Sequence, residues 1–413
     1  MRVAIAVSVS AALLTAGRAP AVLQPERIPF DLKITPLSTP AARDSGQPQL
    51  SVSPRGLLLS WIEKAGATSA LRYAERTKAG WTAPRTAASG SDWFVNWADV
   101  PSVIRLANGT LVAHWLQKSG ADTYAYDVRL TRSTDDGVTW SPAFLPHSDK
   151  TKTEHGFASL FQMPGAGLGL VWLDGRAMTG GHEGHGGGDM SLRFGAFDRD
   201  WKQTAEMPLD LRVCECCPTA VAVTADGPIV AYRDRSPDEV RDIYIARMEK
   251  GKWTVGTPIH KDDWRINACP VNGPSLSAQG RTVAVGWFTA RDDRPNAFIA
   301  FSADAGRTFG PPVRLDDAAS LGRVDAELLP DGSAIAAYIE FASQRAEFRL
   351  RRVTRDGGRS APVTISNVAG NRSSGYPRMA VDRGEVVFAW VDREGGSQVK
   401  TAVATLPPFS GGH

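Results

Sequence analysis

The chain has 413 residues, 42% hydrophobic and 22% charged, with a formal net charge of +3. This is the composition of an ordinary globular protein, and the small net charge without basic runs argues against a nucleic-acid partner. Forty Gly, 27 Pro and 12 Trp favour many turns and aromatic packing, as in an all-β array.

Residues 1–21 read as a secretory signal. Arg2 supplies a minimal positive start, and Val3 to Ala16 are apolar and small. Thr15-Ala16-Gly17 or Arg18-Ala19-Pro20-Ala21 offers a small-residue cleavage site. The stretch is too short for a membrane span, and no later apolar run approaches the roughly 18 residues a span needs. No Cys follows it, so a lipid anchor is not indicated. The mature chain is therefore expected to be secreted or periplasmic and monomeric, without a membrane span, in a compartment where disulfides can form. It reads as one domain over residues 22–408 with a short tail at 409–413.

Seven short runs then recur about every 50 to 60 residues, the length of a four-stranded propeller blade. They are Gly56 to Trp61, Gly109 to Trp115, Gly167 to Trp172, Gly227 to Tyr232, Gly280 to Trp287, Gly332 to Tyr338 and Gly384 to Trp390. Each begins on a turn Gly and ends on an aromatic, the pattern of a buried strand. In most units a second aromatic with a nearby proline follows, as in Trp81…Pro84, Trp140…Pro142, Trp253…Pro258 and Phe309…Pro311. Proline suits an outer edge strand, which need not donate every N–H. The fold class is thus an all-β propeller of seven blades, with six as the alternative. Arg27 to Ser38 precedes the first unit and is expected to supply the outer strand of the last blade.

Two units carry Ser-x-Asp-x-Gly-x-Thr-aromatic, at Ser133 to Trp140 and Ser302 to Phe309. In both, hydroxyl and carboxylate cap backbone N–H groups of a tight turn while Gly takes a positive φ. These copies resemble the Asp-box (BNR) repeat of sialidase-type β-propellers, and the resemblance spans roughly residues 28–406. The resemblance implies that the boxes lie between third and fourth strands, away from the active face, so Asp135, Asp136 and Asp304 are structural. It also implies a Tyr–Glu nucleophile pair, for which Tyr376 and Glu327 stand in corresponding surroundings, and an arginine triad for a substrate carboxylate. Arg27-Ile28-Pro29 is similar to the motif carrying the first arginine. The sequence places no full triad, and a seventh blade departs from the six usual in that family.

Residues just after each repeat aromatic should share one rim: Glu63, Gln117, Asp174 with Arg176, Arg233-Asp234-Arg235, Arg291-Asp292-Asp293, Glu340, and Asp392-Arg393. Loops leading into the inner strands share that face. Cys214, Cys216 and Cys217 lead into the fourth unit, and Cys269 and Asn272 into the fifth. A long Gly-rich loop after Trp172 holds His182 and His185, and His155 leads into the third unit. Thiolate plus imidazole is a ligand set for zinc or copper, although the spacing matches no standard zinc motif.

Three functions stay open on this reading. The face of blades three to five binds a ligand: a metal ion through His182, His185, Cys214, Cys216, Cys217 and Cys269, or a small molecule or glycan through Asp174, Arg176, Arg233, Asp234, Arg235, Asn272, Arg291 and Asp292. Alternatively the protein is a sialidase-like glycoside hydrolase, or a non-catalytic binding propeller with a disulfide-stapled face.

Overall fold

Each of the seven aromatic-ended runs forms the second strand of an antiparallel sheet: Gly56–Ala65, Leu111–Lys118, Leu168–Asp174, Gly227–Arg233, Thr282–Thr289, Ala334–Ala342 and Glu385–Asp392. The computed structural model describes residues 27–165, 167–178, 187–342 and 344–408. The expected signal, the tail from 409, and His182 and His185 lie outside the described residues.

The seven sheets form a seven-bladed β-propeller. In blade three, His155–Gln162, Leu168–Asp174, Ser191–Phe197 and Gln203–Asp210 pair in sequence order from the axis outward. Blade two is the leanest. Its outer position is reduced to a bridge between Leu130 and Phe144, held by two backbone bonds of 2.9 Å. Pro142 and Pro146 flank Phe144, and proline has no N–H with which to extend the ladder.

The ring closes as the sequence suggests. Thr35–Leu37 pairs antiparallel with Gln398–Thr405, Thr35 opposite Val403 and Leu37 opposite Thr401. Leu32 is buried beside Phe348, Phe388 and Trp390. Thr39 Oγ1 donates to the Val399 carbonyl at 2.7 Å. The last blade is thus completed by the start of the described chain, which covers the outer edge of Gln398–Thr405.

The core lies between blades. Trp61, Trp172 and Trp287 are fully buried, each among aliphatic side chains from neighbouring sheets. Burying one such side chain stabilises the fold by about 1.5–3 kcal/mol. Indole N–H groups cannot be buried unpaired without penalty. Trp61 donates to Glu63 at 2.9 Å, Trp172 to Asp174 at 2.8 Å and Trp287 to Asp262 at 2.7 Å.

The two repeated turns follow the third strands of blades two and five, Tyr126–Ser133 and Asn296–Ser302. In the first, Ser133 Oγ donates to Asp135 at 2.7 Å and accepts from Gly137 N at 2.8 Å. Asp135 also takes Thr139 N at 2.9 Å and Thr139 Oγ1 at 2.6 Å. The second turn repeats this with Ser302, Asp304, Gly306 and Thr308. Hydrogen bonds from Thr139 hold the Asp135 carboxyl down at about 2.

The glycine of each turn also meets the preceding blade. A Cβ on Gly137 (φ 83°) would fall 1.8 Å from the Tyr73 hydroxyl, and one on Gly306 (φ 80°) 3.1 Å from Ile245 Cδ1. The turn therefore clamps neighbouring blades as well as capping its own strand. Gly109 also has a positive φ, 91°, but a Cβ there meets nothing within 4 Å. Gly109→Ala should lose about 1 kcal/mol through backbone strain alone, and Gly137→Ala about 3 kcal/mol because overpacking is added. Chemical denaturation of the two variants checks this; equal losses would contradict the clamp.

Candidate functional site

The inner strands carry a register break on the face where their approaching loops lie. Pairing slips between Gly46 and Gln49 in blade one, Gly156 and Ser159 in blade three, and Gly322 and Asp325 in blade six. Gln47, Phe157 and Arg323 occupy these bulges with φ of 54°, 51° and 55°. Bulges re-aim side chains, and strained non-glycine residues persist only where their surroundings fix them. Gln47 Nε2 donates to the Asp99 carbonyl at 3.0 Å. The Arg323 guanidinium stacks 4.5 Å from the Trp97 ring and 5.4 Å from Tyr376.

Below this mouth runs a polar channel of about 250 Å³, lined by Ser51, Ser102, Ser159, Thr219, Asp99, Asp325, Glu327, Tyr376 and Arg378 among others. Hydroxyls bridge adjacent inner strands, such as Ser51 to the Val103 carbonyl at 2.8 Å and Thr219 to that of Phe157 at 2.9 Å. Burial pushes the Asp99 carboxyl up to about 8, with the charge of Glu154 adding to it. Burial, then the negative charge of Asp325, also pushes Glu327 up to about 8. Tyr376 donates to the Val271 carbonyl at 2.6 Å, and Glu327 accepts from Ser277 at 2.9 Å. The two residues that the family resemblance pairs thus share the channel but have different partners. Arg378 lies 5.4 Å from the Tyr376 ring and Arg372 6.0 Å from Trp97. With Arg323 they make a three-arginine group around the mouth that sequence spacing did not assemble. Arg323 occupies a bulge in blade six, while Arg372 and Arg378 flank Tyr376 on the approach to blade seven.

The thiols form a second locus. Cys214, Cys216 and Cys217 are buried, with Sγ atoms all within 4.8 Å of one another. Cys214 Sγ is 3.8 Å from Cys216 Sγ and 3.5 Å from Cys217 Sγ. No disulfide joins the four cysteines, and the separations within the trio are far above the ~2.05 Å of a disulfide. Cys269 is exposed and hydrogen-bonds to Cys216. Burial opposes ionisation of Cys214. Bonds from Cys216 and Cys217 and the Arg241 guanidinium, whose Nη1 is 3.3 Å from the sulfur, outweigh it and hold Cys214 well below the usual thiol range.

Charged residues girdle this cluster. Arg241 bonds Glu215 and Glu239, each at 2.8 Å, and Arg235 bonds both carboxylates as well. Arg233 is buried and turned to backbone oxygens: those of Asn272 at 2.7 Å, Phe288 at 2.8 Å and Arg241 at 2.6 Å. Asn272 Oδ1 accepts from Arg323 N at 2.8 Å. Arg233 and Asn272 therefore fix the loop that carries Cys269. Asp234 is buried, and burial with the nearby Asp210 charge pushes it up to about 7.

Asp174 and Arg176 lie elsewhere, in a seam between blades two and three. Arg176 Nε donates to Asp174 at 2.7 Å. Beside them His147 and His155 stack with ring centroids 4.0 Å apart and planes within 4°. Asp149 takes His147 Nδ1 at 2.7 Å and His155 Nε2 at 3.2 Å. His155 Nδ1 faces the Thr153 carbonyl at 3.1 Å, so both its nitrogens face acceptors and the imidazolium fits best. A metal binds in the plane of an imidazole, and two parallel stacked rings cannot both point to one ion. Arg291 and Asp292 form an exposed turn further round the rim. His147, Asp149, Arg241 and Glu239 were invisible to a reading that followed the repeat register, because they lie on segments connecting the strands.

No family model matches this chain, and no curated protein matches it. Among solved structures, the polysaccharide lyase Uly1 is 10% identical with a TM-score of 0.52, covering 94% of each chain. The NanB sialidase of Streptococcus pneumoniae is 9% identical with a TM-score of 0.46, over 90% of this chain and 94% of that one. An α-L-arabinofuranosidase of Fusarium graminearum is 11% identical with a TM-score of 0.47, over 90% and 97%. At such identities the likeness to the lyase is one of fold alone.

The seam has a pH signature. Burial works against His155 ionising, but the Asp149 hydrogen bond and the charges of Asp174, Asp149 and Asp127 raise it above its ordinary value. Its contribution is complete below the unfolded value of about 6.5 and fades as pH rises through the higher folded value. The melting-temperature gap between wild type and His155→Gln should be widest near pH 6 and shrink as pH rises above the ordinary imidazole value. Comparing the two proteins at each pH cancels groups remote from the seam, while His147, stacked on His155 and sharing Asp149 with it, shifts along with the substitution. A gap independent of pH would show that the pair is held by packing alone.

Proposed function

We propose that the thiol cluster on blades four and five binds a soft metal ion, copper(I) or zinc. The observation carrying this reading is the mutual approach of three buried sulfurs within 4.8 Å, with a fourth at the surface. Four thiolates around zinc, at about 2.3 Å each, have edges of about 3.8 Å. The 3.8 and 3.5 Å separations sit close to that value without movement of the backbone. Thiolate donors select copper(I) and zinc over hard cations. Arg241 supports an anionic sulfur cluster whatever the ion. Cys214, Cys216 and Cys217 would hold the ion, with Cys269 beside Cys216 at the surface and outside the converging trio, and a signal peptide at 1–21 would place the site outside the cytoplasm.

Reduced full-length protein, titrated anaerobically with copper(I) and separately with zinc, should take up one ion per chain. Cys216→Ser should weaken binding by at least about a hundredfold, as loss of a ligand does. No uptake by wild type and no effect of Cys216→Ser would sink the reading.

A second reading is an acidic-sugar site at the channel mouth. It rests on Tyr376 lying beside Arg323 and Arg378, with Arg372 on the Trp97 ring that stacks against it and Glu327 and Asp325 also lining the channel. Guanidinium groups suit a sugar carboxylate, and the sialidase resemblance supports the same substrate class. Release of a sialic acid from a fluorogenic glycoside, lost in Tyr376→Phe, is the expected result. An inert wild type over a broad glycoside panel would count against it.

A further inference from the structure

The four thiols differ in one respect that bears on how an ion reaches them. Cys214, Cys216 and Cys217 are 1%, 6% and 2% exposed. Cys269 is exposed and belongs to a different loop, the one leading into blade five. It hydrogen-bonds to Cys216, so the surface thiol touches one member of the buried trio. The three sulfurs that converge within 4.8 Å do not include it. Val271, two residues beyond Cys269, packs on the trio from the same loop. Its φ of 47° shows that the loop is held in a fixed, strained path, anchored by Arg233 on the Asn272 carbonyl.

A hydrated ion would have to shed its water before reaching a pocket this closed. An ion that arrives on a thiolate carrier does not, because one sulfur replaces another while the coordination number is kept. We infer that Cys269 is the surface acceptor through which copper(I) passes by thiolate exchange from a thiol carrier to Cys216, and then to the full trio. The inference rests on the metal-binding reading and adds a direction to it. In the first exchange the copper–sulfur bond to the carrier breaks and one to Cys269 forms. The proton of the Cys269 thiol goes to the departing carrier sulfur, and no electron is transferred. The same exchange from Cys269 to Cys216 returns a proton to Cys269. Completion of the trio displaces the thiol protons remaining there to solvent. Three thiolates satisfy copper(I), whereas zinc in a structural site takes four ligands. A trio with a fourth sulfur beside it thus fits copper(I) as resident ion and Cys269 as transfer ligand.

The test uses full-length reduced protein and the copper(I)–glutathione complex as donor. Affinity is read by competition with bathocuproine disulfonate, and loading rate by stopped flow. Cys269→Ser should keep affinity within about threefold of wild type yet slow loading from copper(I)–glutathione at least about tenfold. Cys217→Ser should lose about a hundredfold in affinity. Circular dichroism checks that the variants fold, and the exposed Cys269 position makes that expected for Cys269→Ser. Loading of Cys269→Ser at the wild-type rate would overturn the transfer role. A loss of affinity in Cys269→Ser equal to that in Cys217→Ser would overturn it too, by making Cys269 a resident ligand. Failure of wild type to bind copper(I) at all would instead remove the metal-binding reading beneath it.

Discussion

Everything on the candidate face depends on the ring being closed. A sheet edge left open between first and last blades would let the inner strands splay. The strand Thr35–Leu37 prevents this by pairing with Gln398–Thr405. The contact is non-local in the extreme, and neighbouring bonds reinforce it. Gln398 Nε2 reaches the Ala41 carbonyl at 2.9 Å, and Ser397 Oγ reaches that of Ser45 at 2.6 Å. Once the circle is fixed, inner-strand residues of all seven blades line one channel. Loops distant in sequence are then brought onto one mouth, so that Trp97 from blade two meets Arg323 from blade six and Tyr376 from blade seven.

The fold was legible because its signals are local and repeated. A turn glycine, an apolar run and a buried aromatic recur in the same register seven times, and each copy became a second strand. The closing strand could be read because the last unit is short of one strand and the segment 27–38 has no unit of its own. The site was legible only in part. The convergence of Cys214, Cys216 and Cys217 follows from one short loop, and the approach of Cys269 from its equivalent place on the next blade. By contrast, Asp174 and Arg176 share the rim register but turn into the seam between blades two and three. Register fixes where a strand ends, whereas the outer strands and connecting loops decide which way its last side chains turn. Arg233 shows the same limit. It stands in the rim register, yet its guanidinium is turned to the backbone carbonyls of Arg241, Asn272 and Phe288.

The seams explain how so many charges are tolerated inside. Between blades two and three, Asp127, Asp149 and Asp174 surround His155, with Arg176 beside them. Around the thiols, Glu215 and Glu239 are matched by Arg235 and Arg241. A buried pair of this kind adds little net stability against apolar packing, but losing one partner strands the other in a dry site. Such seams therefore act as alignment devices: they punish a blade that docks in the wrong position more than they reward the right one. In a ring of near-equivalent blades, where apolar faces resemble one another, polar matching is what distinguishes one neighbour from the next.

The same division explains why a likeness of fold survives at 10% identity. The propeller asks each unit for a glycine, a few aliphatic residues and one large aromatic, a demand many sequences meet. The face that carries the channel mouth and the thiols asks for more, and it does so through departures from the repeat. Gln47, Phe157 and Arg323 are non-glycine residues in left-handed conformations at bulges of the inner strands, and Val271 adopts the same conformation in the loop carrying Cys269. A strained backbone is retained only when surrounding contacts hold it. Here they do, through Gln47 to Asp99, Arg323 to Ser374 and Gly375, and the Val271 carbonyl to Tyr376. That last bond joins the two candidate sites. The carbonyl that receives the Tyr376 hydroxyl belongs to the loop that presents Cys269, so the channel mouth and the thiol cluster share one anchoring segment. A change of loop position at the thiols must move the oxygen that holds Tyr376, and the two loci are mechanically one face.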